Sequence, residues 1–87
     1  MVQEDSLARL RAIKAIYEPD LLRKANVVGV GIGLRQRAGK QTAEPVIVVS
    51  VTHKVPLSQL DASDVIPREL EGIPVDVQAV GELRALY

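Results

Sequence analysis

Asn26-Val27-Val28-Gly29-Val30-Gly31-Ile32-Gly33-Leu34 is the stretch that decides the fold class. Side chains of an extended strand alternate between faces, so Val28, Val30, Ile32 and Leu34 fall on one side and Val27, Gly29, Gly31 and Gly33 on the other. The second side is a groove of bare backbone. Three strand glycines cost stability through chain entropy, which predicts that a helix or another chain approaches that side closely. On this reading Gly31→Val blocks the approach and destabilises the fold or the assembly.

Working outward, the preceding segment repeats apolar residues at helical spacing. Leu7, Leu10, Ile13, Ile16 and Tyr17 form one stripe, with Arg9, Arg11, Lys14 and Glu18 elsewhere, which predicts an amphipathic helix docking on a sheet. Asp5 or Ser6 is its expected N-cap, and Pro19 either ends it near Tyr17 or opens a second short turn through Leu21 and Leu22. After the glycine strand, residues 35–44 read as a polar loop with strand extensions, and Pro45 opens a second, β-branched strand, Val46 to Thr52. Residues 56–64 read as a polar connection anchored by Leu57 and Leu60. Residues 64–72 predict a short helical turn, with Pro67 near its start and Gly72 as its C-terminal cap. Val75 to Val80 alternates apolar and polar as a half-exposed third strand that Gly81 ends. The expected class is α+β: an N-terminal helical segment, residues 1–25, then a small α+β domain, residues 26–87, with at least three strands in the order β-β-short α-β, the whole forming a single compact domain.

The composition narrows the function. The chain has 87 residues, 47% of them hydrophobic, and no cysteine. A chain this short buries only roughly 60% of its unfolded surface, enough for one core. Without cysteine there is no disulfide framework, thiol nucleophile or Cys-based zinc site. The 11 basic and 11 acidic side chains cancel, and the aromatic fraction is 2%, so the basic excess and stacking platforms of a nucleic-acid binder are missing. No apolar run reaches membrane-span length, and the acidic start Met1-Val2-Gln3-Glu4-Asp5 does not resemble a targeting peptide. A cytoplasmic protein that binds neither nucleic acid nor membrane is expected. The neutrality is a cancellation: Arg35, Arg37, Lys40 and Lys54 face Glu44 alone in the middle, whereas Asp61, Asp64, Glu69, Glu71, Asp76 and Glu82 outnumber Arg68 and Arg84 at the end. Such segments either pair internally or steer one copy toward another.

No catalytic constellation emerges. A dinucleotide fingerprint counted from Gly29 or Gly31 needs a glycine where Leu34 or Gln36 stands, and Gly39-Lys40 is followed by Gln41 rather than the Ser or Thr of a phosphate loop. His53, the single imidazole, shares the face of Ile47, Val49 and Val51, while Ser50 and Thr52 point the other way, separating base from hydroxyl. Asp61 and Asp64 read as a solvated capping pair rather than metal ligands. No catalytic, cofactor-binding or metal residue is assigned, and no cofactor.

Several segments in order carry a family likeness: Asn26 to Gly33, Glu44-Pro45-Val46-Ile47-Val48-Val49, Lys54-Val55-Pro56-Leu57, and Val65 to Val77 with the closing Val80-Gly81. Across Asn26 to Gly81 the chain resembles the N-terminal module of bacterial trypsin-like serine peptidase proteins. The resemblance implies a non-catalytic accessory domain, since no residue present matches the peptidase nucleophile, and it implies a trypsin-like peptidase as one partner. The expected function is a non-enzymatic interaction and assembly module, a homo-oligomer by preference, with Gly29, Gly31, Gly33, Leu10, Ile13 and Tyr17 as contact residues. A regulatory or pro-domain-like partner of a peptidase is the alternative.

Overall fold

A computed structural model of the chain describes residues 4–81. Helix α1 (Glu4–Leu22) is followed by strands β1 (Val27–Arg37) and β2 (Lys40–Val51), two single 3₁₀ turns at Leu57–Gln59 and Ala62–Asp64, and strands β3 (Glu69–Leu70) and β4 (Ile73–Ala79). The sheet order is β1-β2-β4-β3, with β1 antiparallel to β2, β2 parallel to β4 and β3 antiparallel to β4. The fold is α+β, a helix on one face of a four-stranded mixed sheet.

Residue chemistry explains the joints. Two tight hairpins turn on consecutive residues with positive φ: Ala38 and Gly39 at 52° and 77°, Glu71 and Gly72 at 50° and 85°. This is the mirror-image turn whose twist matches that of paired strands, and glycine takes its second position without a Cβ clash. The expected loop at residues 35–44 therefore shrinks to two residues, with Arg37 opposite Lys40. The expected short helix over residues 64–72 does not form. Pro67 precedes a two-residue strand instead, and Gly72 serves a hairpin rather than a helix end. Pro45 lies inside β2 opposite Leu34, where β4 has not yet joined the ladder, so its missing N–H leaves no bond unmade.

The helix differs from expectation in three ways. Among the described residues it spans Glu4–Leu22, so Asp5 and Ser6 are inside it rather than capping it, and it runs through Pro19. Leu21 beyond the proline is buried at 2% exposure, and the burial of a leucine, worth about 1.5–3 kcal/mol, offsets the helix bond that proline removes. The docked stripe is Leu7, Leu10, Ile13, Tyr17 and Leu21, packed with Val27, Val30, Ile32, Ile47, Val49 and Val51. Ile16 is not part of it and is 63% exposed. At about 100° per residue Ile16 stands roughly 120° from Leu10, outside the buried arc.

Strict alternation also fails at one point of β1. A bulge between Val27 and Gly29 shifts the phase, so Val27 opposes Val51 on the helix face, although parity places it with the glycines. Val28, the extra residue, is left 43% exposed. A second irregularity between Leu34 and Gln36 turns the end of β1 toward β4, where the Gln36 N–H donates to Asp76 Oδ2 at 2.8 Å. Val46, on the face away from the helix, is fully buried.

Candidate functional site

Two surfaces among the described residues stand apart from the core. The first is the outer edge of β1, because among the described residues the sheet order gives that strand a neighbour on one side only. Between its two bulges, Gly29 to Leu34 carries no charge and no proline, the devices that ordinarily blunt an edge. Beside it, on the face away from α1, Gly31 and Gly33 with Val48, Ser50, Gln41 and Gln78 line an open groove of about 210 Å³.

The glycines of this groove are not alike. A Cβ at Gly31 meets nothing within 4 Å, one at Gly29 meets only the Ser50 Cβ at 3.8 Å, and one at Gly33 stands 3.1 Å from Val48 Cγ2. None of the three has a positive φ. The helix packs on the opposite face, so among the described residues nothing makes the close approach expected at Gly31, and the steric cost expected of Gly31→Val within the fold disappears. Nor are Leu10 and Ile13 at a partner surface. They are buried at 4% and 6% exposure against the chain's own sheet, whereas Gly29, Gly31, Gly33 and Tyr17 are half-buried and remain the accessible part of the expected contact set.

Tyr17 has a different task. The Glu71 carboxylate holds its phenol above the ordinary value near 10, through hydrogen bonding first, then charge, with a smaller contribution from burial. Arg9 donates from Nη2 to the Glu71 carbonyl at 2.6 Å. Arg9 thus fastens the helix to the positive-φ turn between β3 and β4, and Tyr17 feels the carboxylate of the same turn, a link invisible in sequence because the residues lie more than fifty positions apart.

The second surface is a cleft of about 410 Å³ at the end of the sheet where β2 and β4 finish, lined by Val51, Val55, Leu60, Ile66 and Val77, with His53, Lys54 and Arg68 among its polar residues. Its walls are tied to the end of the helix: Lys24 Nζ donates to the Ser63 carbonyl at 2.7 Å, and the Ala25 N–H donates to Asp64 Oδ1 at 3.0 Å. Asp64 is thereby a structural acceptor. Among the described residues no group of three or more His, Cys, Asp or Glu is placed to hold a metal ion. The chain bends after Val51, so Thr52 Oγ1 lies 3.1 Å from His53 Nδ1 despite the alternation that separates them in an ideal strand. His53 makes no other side-chain hydrogen bond among the described residues, so no third group orients the ring as a triad requires. Leu60 is legible in sequence as a loop anchor, but the convergence of Lys54 and Arg68 depends on the connection from β2 to β3 and has no local signal.

Among the described residues the opposite-charge segments form no ion pair with each other. Arg35 bonds Glu44 at 3.0 Å within the basic middle, while Arg37, Lys40 and Lys54 make no ion pair among the described residues. No helix among the described residues is long and apolar enough to cross a membrane.

Against known proteins, residues 2–80 match the family model of the NARROW LEAF 1 N-terminal domain. The match spans nearly the whole chain, and the chain belongs to that family. It replaces the resemblance to an accessory module of bacterial trypsin-like peptidases: the bacterial source and the peptidase association expected on that basis fall with it. No curated protein matches the chain.

Proposed function

We propose that this member of the NARROW LEAF 1 N-terminal domain family is a non-enzymatic interaction module that self-associates through the free edge of β1. The observation that carries the reading is the unprotected stretch Gly29 to Leu34, an apolar edge with Val28 and Leu34 exposed at its ends. An edge strand holds a row of unused N–H and C=O groups, and a second strand satisfies them without new side-chain chemistry. A two-fold axis perpendicular to the sheet keeps each face on its own side, so residues of like parity oppose each other. With the axis at Gly31, Gly29 faces the second copy's Gly33 and Val30 faces its Ile32. The unused N–H and C=O groups are those of Val30, Ile32 and Leu34, because Gly29, Gly31 and Gly33 turn theirs toward Ser50, Val48 and Val46 of β2. The glycines contribute by the close approach that a missing Cβ allows. The cytoplasmic setting belongs to the same proposal.

Light scattering on a size-exclusion column tests this over a concentration series. A dimer is expected, and Leu34→Lys, which adds a charge at an already exposed edge position, is expected to return the monomer with an unchanged melting temperature. A strictly monomeric wild-type chain at high micromolar concentration would refute self-association, and a Leu34→Lys variant that dimerises normally would move the interface elsewhere.

A further inference from the structure

We propose that the cleft at the end of β2 and β4 receives an extended aliphatic peptide that adds as a strand beside β4, with its carboxylate held between Lys54 and Arg68.

Backbone direction provides the first support. The Val80 N–H donates to the Val51 carbonyl on β2 at 2.8 Å, whereas the Val75 N–H donates to the Arg68 carbonyl on the other side at 2.9 Å. N–H groups alternate along a strand, so those of Val77 and Ala79 share the direction of Val75 and point away from β2. On that side β3 covers only Ile73 and Pro74. Past Arg68 the chain leaves the ladder at Pro67, and Val77 and Ala79 make no backbone bond on that side among the described residues. The cleft opens beside this unpaired stretch, with Val77 and Ile66 both lining it.

Chemistry provides the second. About 410 Å³ lined by valine, leucine and isoleucine suits aliphatic side chains, and it falls in the size range of ligand clefts. Lys54 comes from the segment after β2 and Arg68 from the segment before β3. Neither makes an ion pair or a side-chain hydrogen bond among the described residues, and the one carboxylate lining the cleft, Asp64, already accepts the Ala25 N–H. An apolar floor with two uncommitted cations complements an aliphatic chain carrying an anion. The open backbone edge favours a peptide over a lipid carboxylate, which has no N–H or C=O series to pair with it. This site is distinct from the β1 edge, so its failure leaves self-association untouched.

Fluorescence anisotropy on the full chain decides the matter, with fluorescein-labelled Val-Ile-Val-Leu bearing a free C-terminal carboxylate as the probe, its C-terminal amide as control and octanoate as competitor. Saturable binding of the acid is expected. The amide and the Lys54→Glu/Arg68→Glu double variant should each bind at least about fivefold more weakly, because exposed ion pairs contribute modestly. Ala79→Pro removes an outward N–H at an exposed position and should weaken binding without melting the sheet, which circular dichroism checks. No saturation at millimolar protein, equal affinity for acid and amide, or full affinity in the folded Ala79→Pro variant overturns the proposal. Displacement by octanoate at the peptide's own affinity assigns the cleft to a lipid carboxylate and overturns it equally. A self-association abolished by the double variant assigns it to a second copy, with the same consequence.

Discussion

Replacing each strand glycine of β1 by alanine separates the internal demands of the fold from those of a partner. Glycine in a strand costs about 0.5–1 kcal/mol relative to alanine through the freedom it gives the unfolded chain. None of the three has a positive φ, so alanine is not strained at any of them. At Gly31 the added Cβ meets nothing within 4 Å, and the whole entropic gain should appear as stability. A domain of this size shifts its melting temperature by about 4–8 °C per kcal/mol, so Gly31→Ala should melt about 2–8 °C higher. Gly29→Ala, with an ordinary 3.8 Å contact to the Ser50 Cβ, should follow closely. At Gly33 the new methyl stands 3.1 Å from Val48 Cγ2, on a β-branched side chain with few rotamers to retreat into. There the gain should be cancelled, leaving a change within about 0.5 kcal/mol. Gly72→Ala is the contrasting control, because φ of 85° penalises any Cβ by about 1–3 kcal/mol. Calorimetry or circular-dichroism melts at low micromolar protein, below association, give the ranking. A Gly31→Ala variant that melts lower than wild type, or a Gly33→Ala variant stabilised as much as Gly31→Ala, would refute the reasoning.

Two further tests probe the helix. Leu21→Ala removes a nearly fully buried side chain beyond Pro19 and should cost about 2–5 kcal/mol in urea denaturation, whereas Ile16→Ala, at an exposed site, should stay within about 0.5 kcal/mol; comparable losses would mean that the helix is docked through a different arc. Tyr17 gives a pH signature. Its pKa is raised in the folded state, so the folded protein holds the proton more tightly; the stabilisation is fully present below the unfolded value near 10 and is lost as pH rises through the folded value. Tyr17→Phe should therefore flatten the alkaline fall in urea midpoint, and an identical slope above pH 9 in both proteins would remove Glu71 as the cause.

What the sequence conveyed depended on the range of the interaction that fixes each residue. Local periodicity identified α1, β1, β2 and β4, because an apolar repeat of 3.6 or 2 is a property of neighbouring residues. It placed Leu10, Ile13 and Tyr17 on the docked stripe yet admitted Ile16, since a helix arc is selected by the shape of the sheet beneath it. Gly72 reads as a helix end in sequence because Gly with positive φ serves a helix cap and a mirror-image hairpin equally well. Only the pairing of Leu70 with Ile73 chooses between them. The cleft was least legible of all: Lys54 and Arg68 converge through a connection with two single 3₁₀ turns, whose path is fixed by Lys24 on Ser63 and by the Ala25 N–H on Asp64.

The same distinction bears on why the strand glycines invite a functional reading. Gly39 and Gly72 are explained by positive φ in turns, and Gly33 by the nearness of Val48. Gly31 has neither a positive φ nor a close neighbour among the described residues, and it carries the chain-entropy cost without a return from them. A residue that weakens the isolated fold while lying on its free edge is accounted for most simply by a contact outside the chain. That makes the dilute melting temperature of Gly31→Ala and the oligomeric state of the wild type two readings of one cause. If alanine stabilises the monomer while the dimer weakens, glycine at 31 is there for the partner strand; if it stabilises both alike, the self-association proposed for β1 must rest on the edge hydrogen bonds alone.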